Sequence, residues 1–226
     1  MTEIALSYSR ISDYNSCPLL FREKYINKTI KFEQNDAMIR GEKIHKALER
    51  NVYRALHGKE PAGEQLVLDT HPIIKAFVRR HPRIGTEIQS AFNRKWELVD
   101  YFAKDVFFRS VIDLEGVTEV RGGVANVIDF KTGQYNENKE QLKLYNMVAL
   151  LKYPDIDSAT STLLFVDHKR NSPPVTTTRA ELEDQIHEVE EQSEAIQISL
   201  EQDYWPPTKN WKCRWCAVQD CRYARR

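Results

Sequence analysis

The chain has 226 residues, with 33 Lys+Arg balanced by 33 Asp+Glu for a formal net charge of zero. That balance excludes a small basic protein that holds nucleic acid by bulk charge, so any such contact must come from local patches. With 41% hydrophobic and 29% charged residues and few Gly and Pro, the chain is globular and long enough for a proper core, neither disordered nor fibrous. No run of 18 apolar residues exists, and the N-terminal MTEIALSYSRISDYNSC lacks a basic stretch followed by an apolar one. The expectation is a cytoplasmic protein with no membrane partner.

Residues 6–31 read as short helices, with Ser9 or Ser12 as a cap and Pro18 following Cys17. In 37–56, Ile44, Ala47, Leu48, Val52 and Ala55 recur at helical spacing and predict an amphipathic helix. Residues 57–63 read as a loop. A short, locally basic helix is expected within 68–82, starting after Pro72 and ending near Pro82. Strands are expected at 86–92, at 107–120 with a turn at Glu115-Gly116, and at 126–133, where Gly133 breaks the run. Residues 138–151 predict a helix with Leu142, Tyr145 and Ala149 on one side. A strand at 161–168 follows, then a long acidic helix over 177–202 that Pro206-Pro207 stops. This order predicts an α/β (α+β) chain, a central mixed β-sheet flanked by helices.

Four cysteines are present: Cys17 stands alone, and Cys213, Cys216 and Cys221 form C-x2-C-x4-C. In a reducing compartment such clustering points to metal rather than disulfides, either a structural Zn²⁺ or an iron–sulfur cluster. A shared site would require Cys17 to meet the C-terminal trio and would staple the chain ends together.

The chemistry concentrates in VIDLEG and VIDFKTG. Residues i and i+2 of a strand share a face, so Asp129 and Lys131 point the same way while Phe130 faces the core. Asp113 occupies the matching place in the preceding apolar strand. If the two strands pair, two carboxylates and one ammonium converge. Close carboxylates raise each other's pKa, a cost that a hard divalent cation such as Mg²⁺ or Mn²⁺ offsets. The competing interpretation is a solvated Asp–Lys pair worth about 0–1 kcal/mol. His45, with Gly41 one turn earlier, Gln141 and Tyr145 at i and i+4, and Glu87 on the preceding strand fit the same site. Each could instead be an ordinary surface or half-buried residue.

The ordered set of S-x-S-R-I-x-x-Y-x-x-C-P at 7–18, G-x-x-x-H at 41–45, Glu87, I-D-L at 112–114, I-D-F-K-T-G at 128–133, Q-x-x-x-Y at 141–145 and C-x2-C-x4-C at 213–221 resembles the RecB-type branch of the PD-(D/E)xK nucleases. Members with a four-cysteine iron–sulfur staple, such as the AddB nuclease domain and the CRISPR-adaptation nucleases, are the most similar. The resemblance implies a single nuclease domain over 1–226. Its cluster-binding part would be 1–36 and 204–226, and 37–203 would hold the helical region and a restriction-endonuclease-like core.

The resemblance also implies roles for residues. His45, Asp113, Asp129 and the backbone carbonyl of Phe130 would bind Mg²⁺ or Mn²⁺. Lys131 would be the catalytic lysine, with Asp113, Asp129, Glu87, Gln141 and Tyr145 completing the catalytic set. Cys17, Cys213, Cys216 and Cys221 would hold a [4Fe–4S] cluster, with structural Zn²⁺ as the alternative. Two departures stand out: Ile112 replaces the motif's proline, and Glu115 adds an acid on the Asp113 face, in reach of a second metal or solvated at the expected turn. No P-loop accompanies the motifs.

Residues 209–226 carry six Lys/Arg (Lys209, Lys212, Arg214, Arg222, Arg225, Arg226) against Asp220, a net +5 in which Trp211 and Trp215 interleave. These tryptophans either stack on single-stranded bases or pack around the cysteines. Lys75, Arg79, Arg80 and Arg83 form a second basic stretch, whereas 177–203 is strongly acidic and is expected to face solvent. The resulting expectation is a metal-dependent exonuclease acting on single-stranded or duplex DNA ends in recombination, repair or phage DNA processing. Recombination or replication proteins would be its partners. The alternatives are a CRISPR-adaptation nuclease and a non-catalytic nucleic-acid-binding module with structural zinc.

Overall fold

The computed structural model describes residues 4–31, 33–119 and 122–224. The chain forms two compact units, one of residues 1–33 with 187–226 and one of residues 34–186. The first unit opens with α1 (Tyr8–Ser16) and α2 (Pro18–Phe21), followed by a π-helical turn at Arg22–Ile26. The cap of α1 is Ser7, whose hydroxyl accepts the Arg10 N–H, not Ser9 or Ser12. Leu6 and Ile11, both buried, occupy the two positions of a hydrophobic staple and set that frame, which leaves Ser9 and Ser12 inside the helix. Cys17 ends α1 in extended conformation, and Pro18 then starts α2 at the position where its missing N–H costs nothing.

The second unit begins with α3 (Asp36–Leu56), capped by the Asn35 side chain on the Met38 N–H. Next is α4 (Gln65–Arg80), which starts seven residues before Pro72 rather than after it. Val67, Thr70, Ile74 and Phe77 bury one continuous face. Pro72 lies on the exposed side, where the hydrogen bond it cannot donate is lost to water rather than to the core.

The strands β1 (Arg83–Phe92), β2 (Leu98–Val99), β3 (Phe108–Val117), β4 (Val124–Lys131), β5 (Ser158–Phe165), β6 (Arg170–Asn171) and β7 (Val175–Thr178) form one mixed sheet. Its order is β2-β1-β3-β4-β5-β6, with β7 also on β5. β1, β3 and β4 are antiparallel, whereas β4 and β5 run parallel through the crossover helix α5 (Lys139–Lys152). The short strands β2, β6 and β7 were not anticipated, and β5 stops at Phe165 before a 3₁₀ turn at Val166–His168. α3 and α4 cover one face, packing Ile44, Leu48, Ile74 and Phe77 against Leu114, Ile128 and Phe130. On the other face, Ala149 and Leu150 of α5 pack with Val117, Ala125 and Ala159.

The turn expected at Glu115-Gly116 does not form; β3 runs straight through both residues. Gly116 serves packing instead. A Cβ there would stand 2.6 Å from His81 Cγ and 2.7 Å from Phe77 Cε1, so the glycine admits the end of α4 against the strand.

α6 (Leu182–Gln202) follows a 3₁₀ turn whose capping box joins Thr178 and Glu181, and it runs on into the first unit. There Tyr14 donates its hydroxyl to the Ala195 carbonyl at 2.8 Å, and Trp205 stacks on Phe21 at 6.1 Å. α6 ends at Gln202, and Asp203 adopts φ 45° ahead of the two prolines. Most acids of α6 face solvent, as their density requires. Among the described residues no helix is long and apolar enough to cross a membrane.

Candidate active site

The site lies in the second unit, where β3 and β4 part. Their ladder ends at Leu114↔Ile128, so the next pair, Asp113 and Asp129, stands at the opening fork. Asp113 Oδ2 accepts the Phe130 N–H at 2.7 Å, replacing the missing ladder bond with a side-chain one. Phe130 is buried on the α3 face and meets the His45 ring edge-on at 6.0 Å. The alternation read from VIDFK therefore holds: Phe130 goes to the core, and Asp129 and Lys131 go to the other face.

Asp129 is held from three sides. Lys131 Nζ lies 2.6 Å from Oδ2. The Tyr145 hydroxyl donates to Oδ1 at 2.6 Å, and Gln141 Nε2, at 3.5 Å from the same oxygen, also donates to the Tyr145 oxygen at 2.8 Å. Gln141 and Tyr145 reach Asp129 together because they are i and i+4 on α5. Burial raises the Asp129 pKa above the ordinary carboxylate value; Lys131 opposes that rise and Asp113 adds to it. Burial, then the Asp129 charge, drives the Tyr145 phenol well above its usual range, so it stays a donor.

A second group of donors faces this one. His45 Nδ1 lies 3.4 Å from Asp113 Oδ1, and His45, Glu87 and Asp113 each offer a ligand atom within 4.8 Å of the other two. Burial works against a charge on His45, but the hydrogen bond and charge of Asp113 outweigh it and raise its pKa. Partial desolvation in the cleft, then Asp113, raises that of Glu87.

Glu87 has φ 48° in the middle of β1, although the register is the same on both sides of it, Thr86↔Leu114 and Ile88↔Ile112. A left-handed residue inside a strand is strained, and here the strain coincides with a carboxylate opposite Asp113. Asp113, His45, Glu87 and Lys131 line one open cleft, with Glu49 one turn after His45 on α3. Gly41 earns its place by geometry, since a Cβ there would stand 3.1 Å from Thr132 Oγ1, just beyond Lys131.

Arg40 and Asp167 escaped the sequence reading. Asp167 pairs with Arg40 of α3 and accepts the Gly133 N–H at 2.6 Å, tying the end of β4 to α3 beside Lys131. Nothing in the local sequence distinguishes VDH from any strand end. Glu49 carried a signal in its spacing from His45. Glu115 is neither solvated at a turn nor placed among the cleft-lining residues. It is buried and bound to Lys152 Nζ at 2.8 Å and the Tyr153 hydroxyl at 2.6 Å, where α5 ends.

In the other unit, Cys17, Cys213, Cys216 and Cys221 line a single small cavity. The Thr208 N–H donates to Cys17 Sγ and the Asn210 N–H to Cys213 Sγ, each at 3.4 Å. The Asn210 side chain donates to the Ser16 carbonyl at 2.9 Å, which joins the two chain ends. Burial raises the Cys216 thiol pKa, and the three other cysteines add to the rise. Arg225 and Arg226, counted in the basic tail, lie outside the described residues.

Residues 5–221 match the family model of the PD-(D/E)XK nuclease superfamily. Among solved structures, a proposed exonuclease from Eubacterium rectale aligns over 98% of this chain and 88% of its own, at 12% identity and a TM-score of 0.52, which is a likeness of fold. The crystal structure of SSO0001 aligns over 92% of this chain and 96% of its own at 15% identity, with a TM-score of 0.35. No curated protein matches the chain. The mixed sheet flanked by helices is thus a restriction-endonuclease-like core.

Proposed function

Since the chain belongs to the PD-(D/E)XK nuclease superfamily, we propose that it is a metal-dependent exonuclease that hydrolyses phosphodiesters at DNA ends, in recombination, repair or phage DNA processing. The observation that carries this reading is the fork between β3 and β4, where Asp113 and Asp129 stand beside Lys131, His45 and Glu87.

The donors fit a hard divalent cation. His45, Glu87 and Asp113 converge, and a carboxylate and imidazole donor set of this kind suits such an ion. His45, Asp113 and Asp129 would hold Mg²⁺ or Mn²⁺, with the Phe130 carbonyl and Glu87 beside them. Such an ion, when bound, lowers the pKa of a water and neutralises charge on the phosphate. Lys131 places an ammonium on the cleft wall, where it orients the attacking water and stabilises the charge that develops on the phosphoryl oxygens. Tyr145 and Gln141 fix the Asp129 carboxylate, so Lys131 is directed by a partner that cannot swing away.

We assign the four cysteines to one shared metal group. Supporting this are their common cavity and the backbone N–H groups aimed at two of the sulfurs, which suit thiolate ligands. The family resemblance favours [4Fe–4S]. Iron with visible charge-transfer absorbance in anaerobically purified protein supports that choice, and one zinc per colourless chain reverses it. End-labelled single- and double-stranded DNA, digested with and without Mg²⁺ or Mn²⁺, tests the activity. Metal-dependent release of short products from labelled ends is expected, and intact DNA under all conditions rejects the reading.

A further inference from the structure

We propose that the cysteine-rich tail carries a platform for single-stranded nucleic acid, built on Trp211 and Trp215. The proposal rests on the nuclease reading and deepens it by naming single-stranded ends as the substrate class.

Trp211 and Trp215 are 71% and 70% exposed. A tryptophan that merely packs around the cysteines would be covered, as Trp205 of the same unit is at 7%. The two indoles meet edge to face, with centroids 6.0 Å apart and planes at 77°, so they steady each other while most of each side chain stays exposed to solvent. Their cations add the second observation. The Arg214 guanidinium lies 5.1 Å from the Trp215 ring centre. Lys209, Arg214 and Arg222 are exposed, and with Lys212 they meet no carboxylate among the described residues.

Exposed indoles beside cations that meet no carboxylate among the described residues match a polyanion that presents flat rings. Single-stranded DNA or RNA does so, because its bases stack on indoles while its phosphates meet Lys and Arg. A duplex hides its base faces, and an acidic peptide would use the cations and leave the indoles idle.

The test is the binding of a fluorescein-labelled oligothymidylate, and of a blunt duplex, to the protein as purified, without added Mg²⁺ or Mn²⁺. Trp211→Ala and Trp215→Ala should each weaken oligothymidylate binding by about 5- to 100-fold. Trp211→Phe/Trp215→Phe, which keeps flat rings, should retain most of the affinity. Lys209→Ala/Arg214→Ala should flatten the salt dependence by about 1.4 in the log–log slope. Unchanged melting temperatures confirm that these exposed residues leave the fold intact. Equal affinity of Trp211→Ala/Trp215→Ala and wild type for the oligonucleotide overturns the proposal, as does an equal loss on single strand and duplex. Tryptophan-dependent binding by a wild type that cuts no DNA supports the platform and counts against the nuclease reading alone.

Discussion

Glu87 separates strain from chemistry. Glu87→Ala and Glu87→Gly both delete the carboxylate that meets His45 and Asp113, but only glycine is at ease at φ 48°. A left-handed conformation costs an ordinary residue about 1–2 kcal/mol. Glycine gives back about 0.4–1 kcal/mol of that through the larger entropy of its unfolded chain. Glu87→Gly should therefore be more stable than Glu87→Ala by about 0.5–1 kcal/mol, or about 1–4 °C in Tm for a chain of this size. Both variants should lose cleavage and Mn²⁺ affinity by about 10–100-fold, the usual scale for groups that hold or orient metal ligands. Paired thermal melts and Mn²⁺ titrations read the two effects separately. A glycine variant no more stable than the alanine variant would refute the strained backbone. Full cleavage by either would refute a role for the carboxylate.

Gly116→Ala should cost about 1–3 kcal/mol in a denaturant titration, because its Cβ would overlap the buried His81 and Phe77 rings; unchanged stability would contradict the packing role. Glu115→Gln should cut DNA at close to the wild-type rate while Asp113→Asn does not, since Glu115 is committed to Lys152 and Tyr153. Equal loss of rate in both variants would return Glu115 to the site. If the four cysteines share a metal group, Cys216→Ser should lower the metal bound per chain and speed proteolysis of the tail, since that group would hold the chain ends together; unchanged metal content would refute the shared cysteine site.

The parts of the fold legible in the sequence were those that one face decides. Ile44, Leu48 and Val52 fix α3, and the alternation of VIDFK separates Phe130, on the core face of β4, from Asp129 and Lys131 on the other. Gln141 and Tyr145 were legible as a pair because helical spacing alone brings them together. What escaped depends on partners distant in the chain. Glu115-Gly116 has turn composition, yet its glycine answers to His81 and Phe77 and its glutamate to Lys152 and Tyr153. The start of α4 was missed because Pro72 carries a strong local signal that is harmless on an exposed helix side. Glu87 could be placed on its strand, but its left-handed backbone has no sequence mark. Nor does the lock of Arg40 and Asp167 on the end of β4, which spans 127 positions of sequence.

The central claim is that Lys131, set against Asp129 in the fork of β3 and β4, is the group on which hydrolysis depends. The most direct measurement is the initial rate of Mg²⁺- or Mn²⁺-dependent release from end-labelled DNA by wild type and by Lys131→Ala, with DNA binding measured in parallel. A rate lower by about 100-fold or more, with binding retained, is the expected result. A variant that binds and cuts as fast as the wild type would contradict the account.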